Sequence, residues 1–76
     1  MSRLSYDEAF VKAVAQADRL NMDVGIERDA LNGGYTTLLL PRPENRRGHE
    51  LRCQVVTPGT PLTAAQVAIR DAKGVA

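Results

Sequence analysis

The sequence predicts an α+β fold with the order α-β-β-β-α: a three-stranded antiparallel sheet with two helices packed on one face. Apolar residues recur at helical spacing near both ends of the chain, and they alternate with polar residues in three segments between them. Turns containing glycine or proline separate these segments. We expect the strands to pair in chain order as an antiparallel meander, and residues 1–76 to form a single small domain.

The first helix begins at a capping signal. Ser5 and Glu8 form an S-x-x-E capping box, in which each side chain accepts a hydrogen bond from the backbone N–H of the other residue. Asn21 tolerates the left-handed conformation, which predicts the end of the helix there. Apolar residues at spacings of three and four predict a core-facing stripe. This stripe consists of Tyr6, Phe10, Ala13, Val14, Ala17 and Leu20.

The first strand and its turn follow directly. Residues 22–28 alternate between apolar and polar side chains, which predicts a half-buried strand. Gly25 within it indicates either a bulge or the close approach of another backbone. The pair Asn32 and Gly33 predicts a hairpin turn, so the second strand should pair antiparallel with the first. The apolar row of the first strand is Met22, Val24 and Ile26.

The second strand leaves its orientation open. Residues 35–40 read YTTLLL, and a shift of one residue exchanges the two faces of a strand. In one orientation the residues that face the helices are Thr36, Leu38 and Leu40. In the other orientation they are Tyr35, Thr37 and Leu39. At least one leucine faces outward in either case.

The third strand lies within residues 50–57 and adds to a predicted contact surface. Val56 falls in its outward row, whereas Leu51, Cys53 and Val55 form the inward row. Together with Tyr35 or Leu39, Val56 would form an apolar patch on a sheet face that no third layer of a chain this short covers. We take this patch as a candidate partner-binding surface. Ordinary exposure of single apolar side chains is the alternative.

An arginine-rich loop joins the second and third strands. Pro41 and Pro43 keep the chain extended, and Gly48 lets it turn back. Guanidinium groups are rigid, bidentate donors that suit phosphate or carboxylate partners. We therefore include the basic residues of this loop among the candidate partner-binding residues, with a solvated charged loop as the alternative. They are Arg42, Arg46, Arg47, His49 and Arg52.

The last helix begins at a second capping box, formed by Thr63 and Gln66. Gly74 suits the C-terminal cap of this helix. A face of small residues predicts close packing against the sheet or against the first helix. This face consists of Ala65, Ala68, Ile69 and Ala72.

Few residues of the chain carry reactive chemistry. His49 and Cys53 are its one histidine and one cysteine, and residues four apart in a strand are about 13 Å apart, too far for a nucleophile and its base. No phosphate-binding, dinucleotide-binding or zinc-protease motif occurs. We expect no enzymatic activity, no metal site and no cofactor. A single cysteine, the lack of a signal peptide and the lack of a long apolar run predict a cytoplasmic protein with no membrane partner.

The element order resembles the double-stranded-RNA-binding domain over nearly the whole chain. This resemblance implies binding of duplex RNA through a basic K-K-x-A-K-like stretch that opens the last helix of that family. The matching segment here, residues 62–66, reads LTAAQ and carries no positive charge. Contacts to phosphates supply most of the affinity of such domains for duplex RNA, so the absence of positive charge in this segment argues against duplex RNA binding.

In size and architecture the chain also resembles small phage-encoded anti-defence proteins, the anti-CRISPR type among them. This resemblance implies a cytoplasmic inhibitor that binds a surface of a host complex and blocks it sterically. The leading functional hypothesis is a protein-binding module, an inhibitor or adaptor of a larger complex. The alternative is a nucleic-acid-binding accessory protein that uses the arginine loop, residues 42–52, on phosphates. A homodimer that pairs through its outer sheet face is the third class.

Overall fold

The computed structural model describes residues 4–31, 33–42, 44 and 53–73. Helix α1 spans Tyr6–Leu20 and helix α2 spans Ala64–Lys73. Three strands lie between them in the chain, β1 (Val24–Arg28), β2 (Tyr35–Leu39) and β3 (Gln54–Val56). The predicted class, an α+β fold with the order α-β-β-β-α and an antiparallel three-stranded sheet, is confirmed.

Helix α1 has the capping box that its sequence predicts. The Ser5 hydroxyl accepts from the Glu8 N–H at 3.1 Å, and the Glu8 carboxylate accepts from the Ser5 N–H at 3.0 Å. Asn21 ends the helix in the left-handed conformation, with φ 52°. The helix packs on the sheet through small side chains, because Ala9, Ala13 and Ala17 are fully buried.

Loss of the α1 cap should destabilise the protein measurably. Ser5→Ala leaves the Glu8 N–H without its side-chain acceptor, and such a change costs about 1 kcal/mol. Ser5→Asp, which keeps an acceptor at the same position, is the matched control and should stay near the wild-type stability. Urea unfolding followed by circular dichroism checks this, and equal midpoints for Ser5→Ala and the wild type would contradict it.

The strand order in the sheet is β2-β1-β3, so the predicted meander is wrong. Strands β1 and β2 form the predicted antiparallel hairpin, closed by Gly33 and Gly34 with φ 74° and 75°. Strand β3 pairs antiparallel with the other edge of β1. The connection from Leu39 to Gln54 is long enough to reach either edge, whereas β1 carries two buried apolar positions, Val24 and Ile26, and β3 carries one, Val56. We therefore attribute the central position of β1 in the sheet to its greater number of buried apolar side chains.

The pairing decides which face of each strand lies under α1. Val24 is paired with both Leu39 and Val56, and residues paired across strands share a face. The α1 side of β2 is therefore Tyr35, Thr37 and Leu39. Val56 is only 2% exposed and belongs to the core. The predicted outward row of Tyr35, Leu39 and Val56 is wrong, since Val24 and Ile26 bring all three to the helix side.

Gly25 makes room for a side chain, which differs from both sequence-based interpretations. The β1 register runs past it without a bulge, opposite Leu38 on one side and Val55 on the other. A Cβ at this position would lie 2.7 Å from the Cys53 sulfur and 3.2 Å from Leu38 Cδ2. The missing side chain is therefore what allows Cys53 and Leu38 to lie over the centre of the sheet.

Helix α2 packs against α1 through a polar contact. Gln66 is buried, its amide donates to the Asp7 carboxylate at 3.0 Å, and its oxygen accepts from the Thr63 N–H. The predicted packing through small residues is wrong for three of them, because Ala65, Ala68 and Ala72 are exposed. A buried glutamine needs partners, and the first turn of α1 supplies one.

Candidate functional site

The structure separates the residues that the sequence groups as partner-binding. Val56 lies in the core, and Tyr35 is half-buried with its ring edge-on to the ring of Tyr6, 5.6 Å between centroids. Leu39 is 49% exposed and Arg42 is exposed. The remaining candidates, Arg46, Arg47, His49 and Arg52, lie outside the described residues.

Three large apolar side chains are exposed at one end of the molecule, where α1 ends, β1 begins and β2 ends. Leu20 is 41% exposed and Met22 is 39% exposed, and Leu39 is the third. We call Leu20, Met22 and Leu39 the apolar corner. These side chains are already more than half buried, so covering the remainder of each would contribute about 1 kcal/mol, less than half of the value for a full burial.

Contacts between α1 and β2 place Leu20 and Leu39 together. The Thr37 hydroxyl donates to the Gln16 side-chain oxygen at 3.1 Å. Leu20 lies one helical turn after Gln16, and Leu39 lies two residues after Thr37 on the same face of β2. Helix α1 and β2 run in the same direction, because Tyr6 and Tyr35 at their starts are in ring contact. Each step is about 6 Å in its own element, so we infer that the two leucines occupy neighbouring positions beyond this hydrogen bond.

The apolar corner adjoins a strand edge. Strand β2 has β1 on one side only, because it is first in the sheet order. Asp29 donates to Gly34 and Leu40 donates to Asp23 across the hairpin, so the even-numbered residues of β2 point their backbone groups toward β1. The odd-numbered residues, Tyr35, Thr37 and Leu39, point theirs away from it.

This free edge has two defined limits. At its start, Leu4 accepts from the Tyr35 N–H at 2.9 Å, which forms an isolated bridge. At its end, Pro41 has no N–H to offer. Within the part of the chain that the structure describes, the outward N–H and C=O groups of Thr37 and Leu39 have no backbone partner.

Edge strands of this kind are templates for pairing with another strand. Charged residues on the edge normally discourage such pairing, and β2 reads YTTLL without any charge. Strand β3 also lies at an edge, but it has only three residues, and Gln54 on it is bonded to the Tyr6 hydroxyl at 2.6 Å. The β2 edge with its apolar corner is therefore the stronger candidate.

A second concave feature lies between the two helices. It is an open groove of about 670 Å³ with Val11, Val14 and Leu62 among its apolar lining residues. Two of its polar residues already have partners: Asp18 accepts from the Gly59 N–H at 2.6 Å, and Arg70 contacts Asp71 at 3.3 Å. The third charged lining residue, Arg19, is exposed, and one exposed cation does not define a class of ligand.

Reactive chemistry is not evident in the described residues. No group of histidine, cysteine and carboxylate side chains that could hold a metal ion occurs among residues 4–31, 33–42, 44 and 53–73. In the same segments, neither helix has the length and apolar character needed to cross a bilayer. The β2 edge and the apolar corner therefore provide backbone hydrogen-bonding groups beside exposed apolar side chains.

Sequence reasoning identified Leu39 but missed Leu20 and Met22. It placed both in core-facing rows by their spacing. The left-handed Asn21 between them was the available signal, because a chain reversal there puts both flanking side chains at the rim of the core.

Fold and surface together define a small α+β domain with an open sheet edge, an architecture that many unrelated functions share. No protein-family model matches the chain, and neither does any curated protein or solved structure.

Proposed function

We propose that this chain is a protein-binding module that acts as an inhibitor or adaptor of a larger complex, and that it binds through the apolar corner and the adjoining β2 edge. The observation that carries this proposal is the coincidence of three exposed apolar side chains with backbone groups of Thr37 and Leu39 that no other described residue pairs. Such a combination suits the binding of an extended segment of a partner as an added strand. The main-chain hydrogen bonds provide affinity, and the apolar side chains provide specificity.

Inhibition would be steric, because a module of this kind blocks whatever surface it covers. Such inhibition needs no catalytic residue. Inhibition of a host defence complex, as by phage-encoded proteins of the anti-CRISPR type, is one form of this function. Apolar anchors near the centre of an interface commonly contribute most of its binding energy, so the corner should dominate the affinity.

The test is a pulldown from host lysate with the tagged wild type, Leu39→Asp and Leu31→Asp. Leu31 is the matched control, since it is 96% exposed in the hairpin turn at the other end of β1 and β2. We expect a stoichiometric protein partner with the wild type and with Leu31→Asp. Leu39→Asp should reduce its capture by about 10-fold to 100-fold, because truncating an interface anchor costs about 2 kcal/mol.

Nuclease treatment of the lysate tests the alternative. The nucleic-acid hypothesis depends on the arginine loop, and among its basic residues the structure describes Arg42, which is exposed. Captured material that persists after nuclease supports the protein-binding module. Capture that disappears with nuclease, or equal capture by Leu39→Asp and Leu31→Asp, would contradict the proposed function.

A further inference from the structure

We propose that a second copy of this chain covers the β2 edge and the apolar corner, pairing β2 with β2 of its partner in an antiparallel, two-fold arrangement. The inference rests on the proposed function to the extent that both take the apolar corner as a protein-binding surface. It adds the identity of one occupant and the register of the pairing.

The hydrogen-bonding groups select the register. In a two-fold antiparallel pair, the sum of the two paired residue numbers is constant along the ladder. Pairing Thr37 with itself would also pair Leu39 with Tyr35, whose N–H is already donated to Leu4. Pairing Leu39 with itself would bring Thr37 to Pro41, which has no N–H.

One register remains, with Thr37 of each copy opposite Leu39 of the other. It uses the outward N–H and C=O groups of both residues in both copies, which gives four inter-chain hydrogen bonds. Leu38 then lies opposite Leu38 of the second copy, on the face away from α1. Between Thr37 and Leu39 the free edge of β2 thus complements itself without leaving a donor over. Beyond them, Pro41 of each copy has to turn away from the strand, because Leu4 occupies the position opposite Tyr35.

The spacing of the two α1 helices is consistent with this register. The two-fold axis is perpendicular to the sheet, so both copies of α1 lie on the same face of a six-stranded sheet. With strands about 4.8 Å apart, two helices centred over their own β1 strands are about 14 Å from each other. This exceeds the usual helix packing distance of 8–10 Å, so the helices do not collide.

The apolar corner of each copy borders the space between the two copies of α1. Leu39 on the β2 edge and Leu20 on the last turn of α1 border this space in each copy. Pairing through β2 would therefore bury side chains that the single chain leaves 49% and 41% exposed. Backbone complementarity and apolar burial point to the same arrangement.

A disulfide cross-link tests the register directly. In a Cys53→Ala background, Leu38→Cys places two thiols opposite each other at a non-hydrogen-bonded pair, where the Cα separation of about 4.5 Å permits a disulfide. Thr36→Cys is the matched control, because its two copies would be about 14 Å apart along the ladder. Under mild oxidation, we expect a covalent dimer with Leu38→Cys and little with Thr36→Cys.

Sedimentation provides a second readout that needs no introduced cysteine. The mass should rise from one copy toward two with concentration, Leu31→Asp should behave in the same way, and Leu39→Asp should stay single. A single-copy mass up to millimolar concentration overturns the inference. So does a dimer that Leu39→Asp leaves intact, or one in which Thr36→Cys cross-links as well as Leu38→Cys.

Failure of this inference and failure of the proposed function give different results. A chain that never pairs with itself but captures a lysate partner through Leu39 retains the proposed function without the second copy. A chain that pairs with itself in the stated register but captures nothing after nuclease retains the second copy without the proposed function.

Discussion

Val56→Asp should unfold most of the protein, although sequence reasoning treats this position as part of an exposed contact surface. Val56 is 2% exposed and pairs with Val24 at the centre of the core. The substitution removes about 1.5–3 kcal/mol of apolar burial and adds several kcal/mol for a carboxylate without water or a counter-charge. A domain of 76 residues has a total stability of about 4–11 kcal/mol.

Circular dichroism and urea unfolding of Val56→Asp measure this effect, and Leu39→Asp is its control. Leu39 receives the same chemical change on the same face of the sheet, but at a half-exposed position. It should keep the wild-type spectrum and lose little stability. Near-wild-type stability of Val56→Asp would contradict the burial of Val56 beside Val24 in this register.

Local elements were predictable because their determinants lie within a few residues. The capping box of Ser5 and Glu8 and the left-handed Asn21 define α1 with neighbouring residues alone. The alternation in β1 and the glycines after it likewise indicated a hairpin. Both helices, the three strands and the class of fold follow from such signals.

The strand order could not be predicted, because it depends on contacts far apart in the sequence. A short turn forces β1 and β2 together, whereas the long connection after β2 leaves β3 a choice between two edges. Burial decides this choice: Val24 and Ile26 lie under α1, and the central position gives each of them a neighbouring strand on both sides within the sheet. No single segment of the sequence carries that information.

The orientation of β2 and the candidate site depend on the strand order. Both rows of YTTLLL contain leucine and threonine, so the composition of the strand does not select a face. The pairing of Arg28 with Tyr35 and of Val24 with Leu39 determines which row of β2 faces α1. Because β2 is an edge only in the order β2-β1-β3, the open edge beside Leu39 was not predictable from its own residues.

Gly25→Ala should destabilise the protein by about 1–3 kcal/mol, and Cys53→Ala should reverse this effect. The added Cβ meets the Cys53 sulfur at 2.7 Å, closer than carbon and sulfur pack, and the central strand β1 is held on both sides. With the sulfur removed, the nearest atom is Leu38 Cδ2 at 3.2 Å, the end of a side chain that can rotate.

The four chains of this double-mutant cycle are the wild type, Gly25→Ala, Cys53→Ala and the double variant, each unfolded in urea. Replacing glycine by alanine restricts the unfolded chain and stabilises by about 0.4–1 kcal/mol where the site accepts a methyl group. In the Cys53→Ala background, Gly25→Ala should therefore be neutral or stabilising, so the sign of its effect should change. Equal destabilisation in both backgrounds would mean that Gly25 is required by the backbone rather than by Cys53.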